Sequence, residues 1–254
     1  MAKHKIGLVL SGGGARGIAH IGVIKALEEL GITPQVISGT SAGAAIGAFY
    51  AAGFSISEIE KFVRENRFFH LSDVAWSSSG LLKTETNEKL FRNYFQKKTF
   101  EQLKIPLFIS ATDLLAGKTV YFSEGDVVMA ILASSAIPLL FEPVEYQNKL
   151  FIDGGVISAF PSEPLLSICD KIVGVYVNPV SKISTIKGMM AVFDRGLHLT
   201  MYNNVEQKKS HCDLFIEPPE LLKYSAFDYN QADELIGIGY RYTMTLREAL
   251  KQLI

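Results

Sequence analysis

A short apolar run that breaks into glycines and restarts as a helix occurs twice near the N-terminus, and this pattern constrains the fold more than any other. Ile6-Gly7-Leu8-Val9-Leu10 runs into Ser11-Gly12-Gly13-Gly14, as a central strand of a parallel sheet, buried on both faces, would. Apolar residues then recur at Ile18, Ile21, Ile24, Leu27 and Leu30, with Glu28 and Glu29 outward and Gly31 behind them. That spacing predicts a helix closed by a glycine C-cap. Gln35-Val36-Ile37-Ser38 begins the scheme again, with a turn over Gly39 to Gly43 and a small-residue helix from Ala44 to Ala52 that ends at Gly53. Two consecutive strand-helix units predict an α/β chain with a parallel or mixed sheet and right-handed crossovers.

Further along, Ser57 to Asn66 and Glu85 to Gln96 read as surface helices, while Phe68 to Lys83, which holds the single tryptophan Trp76, has no clear period. Pro106 to Thr112 and Thr119 to Ser123 read as strands joined through Ala116-Gly117-Lys118. A helix is expected from Asp126 to Ala133, where Ser134-Ser135-Ala136-Ile137-Pro138 ends it. Tyr146 to Ile152 is expected to be strand across an Asn148-Lys149 turn, leading into Asp153-Gly154-Gly155; Lys171 to Val177 is one more strand, and Asp233 to Leu253 a closing amphipathic helix. With no internal repeat and no linker, 254 residues read as one domain, 1–254, with a motif-bearing core over about 6–166 that residues 167–254 complete.

Charge and cysteine content narrow the function classes. Twenty-five basic against 26 acidic side chains give a formal charge of −1, too little field to steer the chain to nucleic acid. Cys169 and Cys212 are too few and too far apart for a disulfide framework, and no CxxC pair or HExxH helix points to a metal. Buried thiols and a cytoplasmic, reducing compartment are the expectation. Lys3 and Lys5 precede an apolar core too short for a signal peptide, and Ala42 to Phe54 is too short to cross a bilayer.

Gly39-Thr40-Ser41-Ala42-Gly43 matches G-x-S-x-G, in which a serine sits on a tight strand-to-helix turn. A side chain at either glycine would crowd that turn, and the following helix N-terminus favours developing negative charge at Ser41. Taken alone, the pentapeptide reads equally well as a serine N-cap with glycines for close packing. Gly12-Gly13-Gly14-Ala15-Arg16-Gly17 satisfies G-x-G-x-x-G, so a nucleotide- or phosphate-binding module is the rival class, but no carboxylate lies between Glu29 and Glu58 to hold a ribose. Beside Ser41 the same loop becomes a prospective oxyanion hole, its Gly12, Gly13 and Gly14 amides free of side chains, with Arg16 orienting the loop or holding a phosphate head group.

Ser41 needs a base. Of the five histidines, His4, His20 and His70 have no motif around them, and His198 and His211 come late enough to complete a Ser-Asp-His order. Asp153 follows the apolar Leu150-Phe151-Ile152 run and precedes Gly154 and Gly155, so it is held on a turn at a strand end. An ordinary carboxylate is a feeble base for a hydroxyl, and burial would have to raise its pKa.

These three elements, in this order, resemble the patatin-like phospholipase family, whose pattern is a GGGxRG loop, a GxSxG nucleophile and a DGG or DGA aspartate. Ala133-Ser134-Ser135-Ala136-Ile137-Pro138, with Phe141 and Pro143, looks like a further segment of that family. The resemblance implies a three-layer α/β/α sandwich with a mainly parallel sheet and a Ser41-Asp153 dyad. It also implies an oxyanion loop of Gly12, Gly13, Gly14 and Arg16, and acyl hydrolysis of phospholipids, lysophospholipids or other acyl esters without metal or cofactor. The run from Met189 through Met190, Val192, Phe193, Leu197, Leu199 and Met201 reads first as a buried core helix, and otherwise as a cover over the site or a peripheral membrane contact.

Overall fold

The computed structural model describes residues 5–66 and 84–253, so His4, His70, Trp76 and the segment without period lie outside the described residues. Among the described residues the sheet has eight strands: β1 Ile6–Leu10, β2 Val36–Thr40, β3 Leu107–Asp113, β4 Lys118–Phe122, β5 Val144–Tyr146, β6 Lys149–Asp153, β7 Lys171–Val175 and β8 Leu214–Ile216. It is mixed, with helices on both sides. β3, β2, β1, β7 and β8 are parallel neighbours in that order, while β4 and β6 pair antiparallel to β3 and β5 antiparallel to β6.

The alternation of the central strands feeds two cores. Leu8 and Leu10 of β1, with Val173 and Val175 of β7, enter the larger core, whereas Val9, Ile172 and Tyr176 enter a smaller one with Phe160, Leu165 and Val205. Strands buried on both faces carry no polar alternation, which is why they are continuous apolar runs in the sequence. The larger core is capped by α1 Ala19–Glu29, α2 Ala42–Ala52, α3 Ile56–Glu65, α4 Glu85–Phe95, α5 Val127–Ser134 and α7 Ala232–Thr245. Val205 of α6, Met189–Lys208, closes the smaller core. None of the described helices is long and apolar enough to cross a membrane. Cys169 and Cys212 are free thiols, half-buried against the smaller core rather than fully buried as expected.

Several boundaries differ from the sequence expectation for physical reasons. The strand expected from Tyr146 to Ile152 is a hairpin of β5 and β6, and Gln147 and Asn148 both take positive φ in its turn, as a two-residue hairpin loop demands. The closing helix is two helices, α7 and α8 Arg247–Lys251. Thr243 and Thr245 hydroxyls bond back to the carbonyls of Gly239 and Tyr242, and Leu246 N–H tightens to Thr243 O, competition that weakens and bends a helix. Strand β8 was not foreseen, because a three-residue edge strand carries no periodic signal.

The helices α1 and α7 form the most extensive helix pair, at a separation set by reciprocal glycines. A Cβ on Gly22 would meet Ile236 O at 1.9 Å, and one on Gly239 would meet Ala19 O at 2.1 Å. Gly22→Ala and Gly239→Ala should therefore each destabilise by about 2 kcal/mol or more, despite the better helix propensity of alanine. Urea denaturation measures this directly, and a variant as stable as the parent would show that the backbones are not in contact.

Candidate active site

β1 and β2 run parallel with Leu10 beside Gly39, so the loops that follow them emerge at the same carboxyl edge. The Gly12 and Ser41 regions touch there: a Cβ on Gly12 would sit 3.5 Å from Ser41 Cβ. Asp153 reaches this edge through β3. Ser110 of β3 pairs with Thr40 on one flank and Tyr121 of β4 on the other, and the next residue, Ala111, pairs with Asp153 and Val120. With β4 filling one flank from Ile109 to Asp113, β6 continues the flank that β2 vacates, and Thr40 and Asp153 face consecutive residues of the same strand. Thr112 Oγ1 donates to Asp153 O at 3.0 Å, and Asp153 N–H donates to Ala136 O at 2.9 Å, pinning that end.

Ser41 is buried and holds φ 52°, ψ −118°, a conformation costly for a residue with a side chain and typical of functional turns. The turn can form because Gly39 and Gly43 have no Cβ: one on Gly39 would lie 2.7 Å from Gly43 C, and one on Gly43 would lie 2.4 Å from Leu10 O. Ser41 N–H donates to Ser134 Oγ at 2.7 Å. Ser134 thus braces the turn, a role that a serine at a helix end does not advertise in sequence.

Asp153 is 7% exposed. Burial pushes its carboxyl up to about 6, against the opposing pull of the Gly155 N–H and the Ser41 side chain. Gly155 N–H donates to its Oδ1 at 2.6 Å, and the Ser41 side chain also bonds the carboxyl. Gly154 lies against β3, where a Cβ would meet Ser110 O at 2.4 Å.

In the glycine loop the three amides are not equivalent. Gly12 N–H is spent on Ala159 O at 3.0 Å and Ala15 N–H on Ala226 O at 2.8 Å, while the Gly13 and Gly14 amides donate to no acceptor among the described residues. Gly14 sits at φ 56°, a left-handed position natural to glycine. Asn178, just beyond β7, is fully buried and donates from Nδ2 to Gly12 O at 2.7 Å. It holds the loop and was missed by motif reading, although an asparagine at a strand end before Pro179 is its only signal. Gly17 packs on Ala42, whose Cβ is 2.4 Å from where its own would stand.

Arg16 is 2% exposed and does not line the cavity. Its Nη1 lies 3.2 Å from His198 Nδ1 and donates at 3.5 Å to Tyr224 O, so it ties the loop to α6 and to the chain before α7. An arginine can only donate, hence His198 Nδ1 accepts and the proton of the neutral ring lies on Nε2. That ring has no lone pair left for the Ser41 proton. His211 bonds Ser162 Oγ at 2.8 Å and does not line the cavity, while His20 is fully buried against Ser11 O.

Gly12, Gly13, Gly14, Ser41 and Asp153 line one cavity of about 320 Å³, walled by Ile137, Pro138, Val156, Met201 and Phe227. A narrow apolar cleft adjoins it at Gly14 and runs between Ile18, Ala45, Ile46, Val63, Phe91 and Leu132. A sequence model of the patatin-like phospholipase family matches residues 8–166.

The chain belongs to the patatin-like phospholipase family.

Among its relatives, an uncharacterized NTE family protein of Mycobacterium tuberculosis is 39% identical over 166 residues, 65% of this chain and 46% of that protein. A lysophospholipase of Kluyveromyces lactis is 27% identical over 93% of this chain and 19% of its own length. The chain thus spans less than half the length of either relative. Its fold is shared with VipD from Legionella pneumophila, at TM-score 0.57 and 16% identity over 97% of this chain and 67% of that one. Full-length ExoU of Pseudomonas aeruginosa, in complex with SpcU, aligns at TM-score 0.52 and 17% identity over 99% and 53%.

Helix α6, which lies beyond the residues matched by the family model, is not the buried core helix first expected. Its His198, Met201 and Val205 turn inward, while Met189, Val192 and Leu199 are exposed; the side chains of Met190 and Leu197 are outside the described residues. A helix that walls a cavity on one side and meets solvent on the other leaves apolar residues on both stripes.

The electrostatics of Asp153 give a stability prediction. A carboxyl raised from 3.8 to about 6 favours the fold only while protonated, so its contribution is full below the unfolded value and lost as pH rises through about 6. Asp153→Asn should therefore stabilise the protein at pH 8 by on the order of 2 kcal/mol, with the gain vanishing near pH 4. Thermal melts of both proteins across that range test it, and a destabilised variant at pH 8 would refute the buried charge.

Proposed function

We propose that this chain is a lipid acyl hydrolase in which Ser41 attacks the ester carbonyl and Asp153 takes its proton. One observation carries the reading: a strained, buried serine shares a cavity with a buried carboxyl of raised pKa and two unspent main-chain amides. As Ser41 Oγ bonds to the carbonyl carbon, its proton passes to Asp153 and the carbonyl oxygen becomes an oxyanion. The Gly13 and Gly14 amides receive that charge, which typically lowers the barrier by about 3 kcal/mol per donor. Collapse of the tetrahedral adduct breaks the ester C–O bond, and Asp153 returns the proton to the departing alkoxide. Water then cleaves the acyl-enzyme by the same steps, its proton passing through Asp153.

The apolar walls of the cavity and the adjoining cleft suit an acyl chain. A lysophospholipid or phospholipid substrate is supported by the family and by the lysophospholipase of Kluyveromyces lactis. The exposed Met189, Val192 and Leu199 on α6 support peripheral contact with the lipid surface.

Since Asp153 must be ionised to accept a proton, kcat/KM on a lysophospholipid should rise with pH through an apparent pKa near 6 and then level off. Ser41→Ala and Asp153→Asn should each lose roughly a thousandfold or more, and His211→Ala almost nothing. Steady-state rates from pH 4.5 to 9 check this; full activity in Asp153→Asn would overturn the dyad.

A further inference from the structure

His198 is left unused by this mechanism, yet it is the one ring on α6 that lines the catalytic cavity. Its Nδ1 is occupied by Arg16, and its Nε2, which must carry the proton, is buried without a partner among the described residues. Native folds seldom leave a buried donor unmatched, and the ring that carries this one lines a cavity, where an acceptor can arrive with the ligand. We propose that His198 Nε2–H is a substrate-binding donor that recognises a phosphate oxygen of the lipid head group. This rests on the hydrolase reading of the same cavity.

One observation favours an anionic oxygen as that acceptor, and two more leave the ring as the donor that would meet it. The Arg16 guanidinium behind the ring draws electron density from it, and a donor so polarised bonds best to a charged oxygen. The ring itself stays neutral, because burial first, and then Arg16 and Arg195, push its pKa down to about 3. It therefore offers a fixed N–H rather than a labile charge. The other polar side chain that α6 brings to this wall, Thr200, donates its hydroxyl to Gly196 O at 3.0 Å within the helix, and Ile137, Pro138, Met201 and Phe227 offer nothing polar. Arg16, expected from the motif to orient the loop or to hold a phosphate head group, would act here one step removed, by fixing the tautomer.

The test compares lysophosphatidylcholine with a monoacylglycerol of the same acyl chain, which lacks the phosphate. His198→Asn keeps an acceptor for Arg16 but removes the far donor; His198→Gln keeps a terminal N–H. His198→Asn should raise KM for lysophosphatidylcholine about 10-fold with kcat and all monoacylglycerol kinetics within about twofold, and His198→Gln should recover most of the loss. An equal loss on both substrates, or none on either, would overturn the inference while leaving the hydrolase reading intact. Inorganic phosphate should not compete in the wild-type protein; competition abolished in His198→Asn would make this a free-phosphate site instead. If the wild-type protein cleaves neither ester, the hydrolase reading has failed and this inference falls with it.

Discussion

The site depends on one strand. β3 gives one flank to β4 along most of its length and divides the other between β2 and β6, so that Thr40 and Asp153 face Ser110 and Ala111 in succession. Two segments more than a hundred residues apart are placed by the repeat of a single backbone, about 3.3 Å per residue. Everything chemical at the cavity follows from this: the serine on its turn, the carboxyl beside it, and the glycine loop delivered by β1 one strand over. The hydroxyls of Thr40 and Ser110 meet each other and both bond Ser158 O, which seals the junction where β2 gives way to β6.

Such a junction is bought with stability. Ser41 holds a backbone conformation that a free chain avoids, and Asp153 and Arg16 are both withdrawn from water. Each of these costs the fold free energy, which the two cores and the helix pair α1 and α7 must outweigh. The same burial that destabilises Asp153 lifts its carboxyl to about 6, so in the proposed mechanism the cost to the fold and the basicity of the carboxyl have one cause.

Much of this was legible in the sequence, and the reason is local. Ser41 and Asp153 sit in short glycine-bounded motifs whose steric demands are written in adjacent residues, and the strand-helix units at the N-terminus declare a parallel sheet. What escaped reading depends on distant partners. That Gly12 spends its amide on Ala159, leaving only Gly13 and Gly14, cannot be seen in three identical glycines. Asn178 and Ser134 act through single bonds to residues 166 and 93 positions away, and no spacing rule links them. The apolar character of α6 was visible, but which stripe meets the cavity is set by its docking through Arg16 and His198, a contact 182 positions apart. The closing helix was overextended because helical period persists past Thr245, where the chain leaves α7 and restarts as α8.

The central claim is convergence: one hydroxyl, one carboxyl and two amides on a single reacting carbon. A crystal structure of the protein inactivated with an alkyl phosphonate tests it most directly, since the phosphonyl group mimics the tetrahedral adduct. The account predicts phosphorus bonded to Ser41 Oγ, the phosphonyl oxygen about 2.7 to 3.1 Å from the amides of both Gly13 and Gly14, and Asp153 facing Oγ. A phosphonyl oxygen turned away from those amides, or an adduct on any other residue, would contradict it.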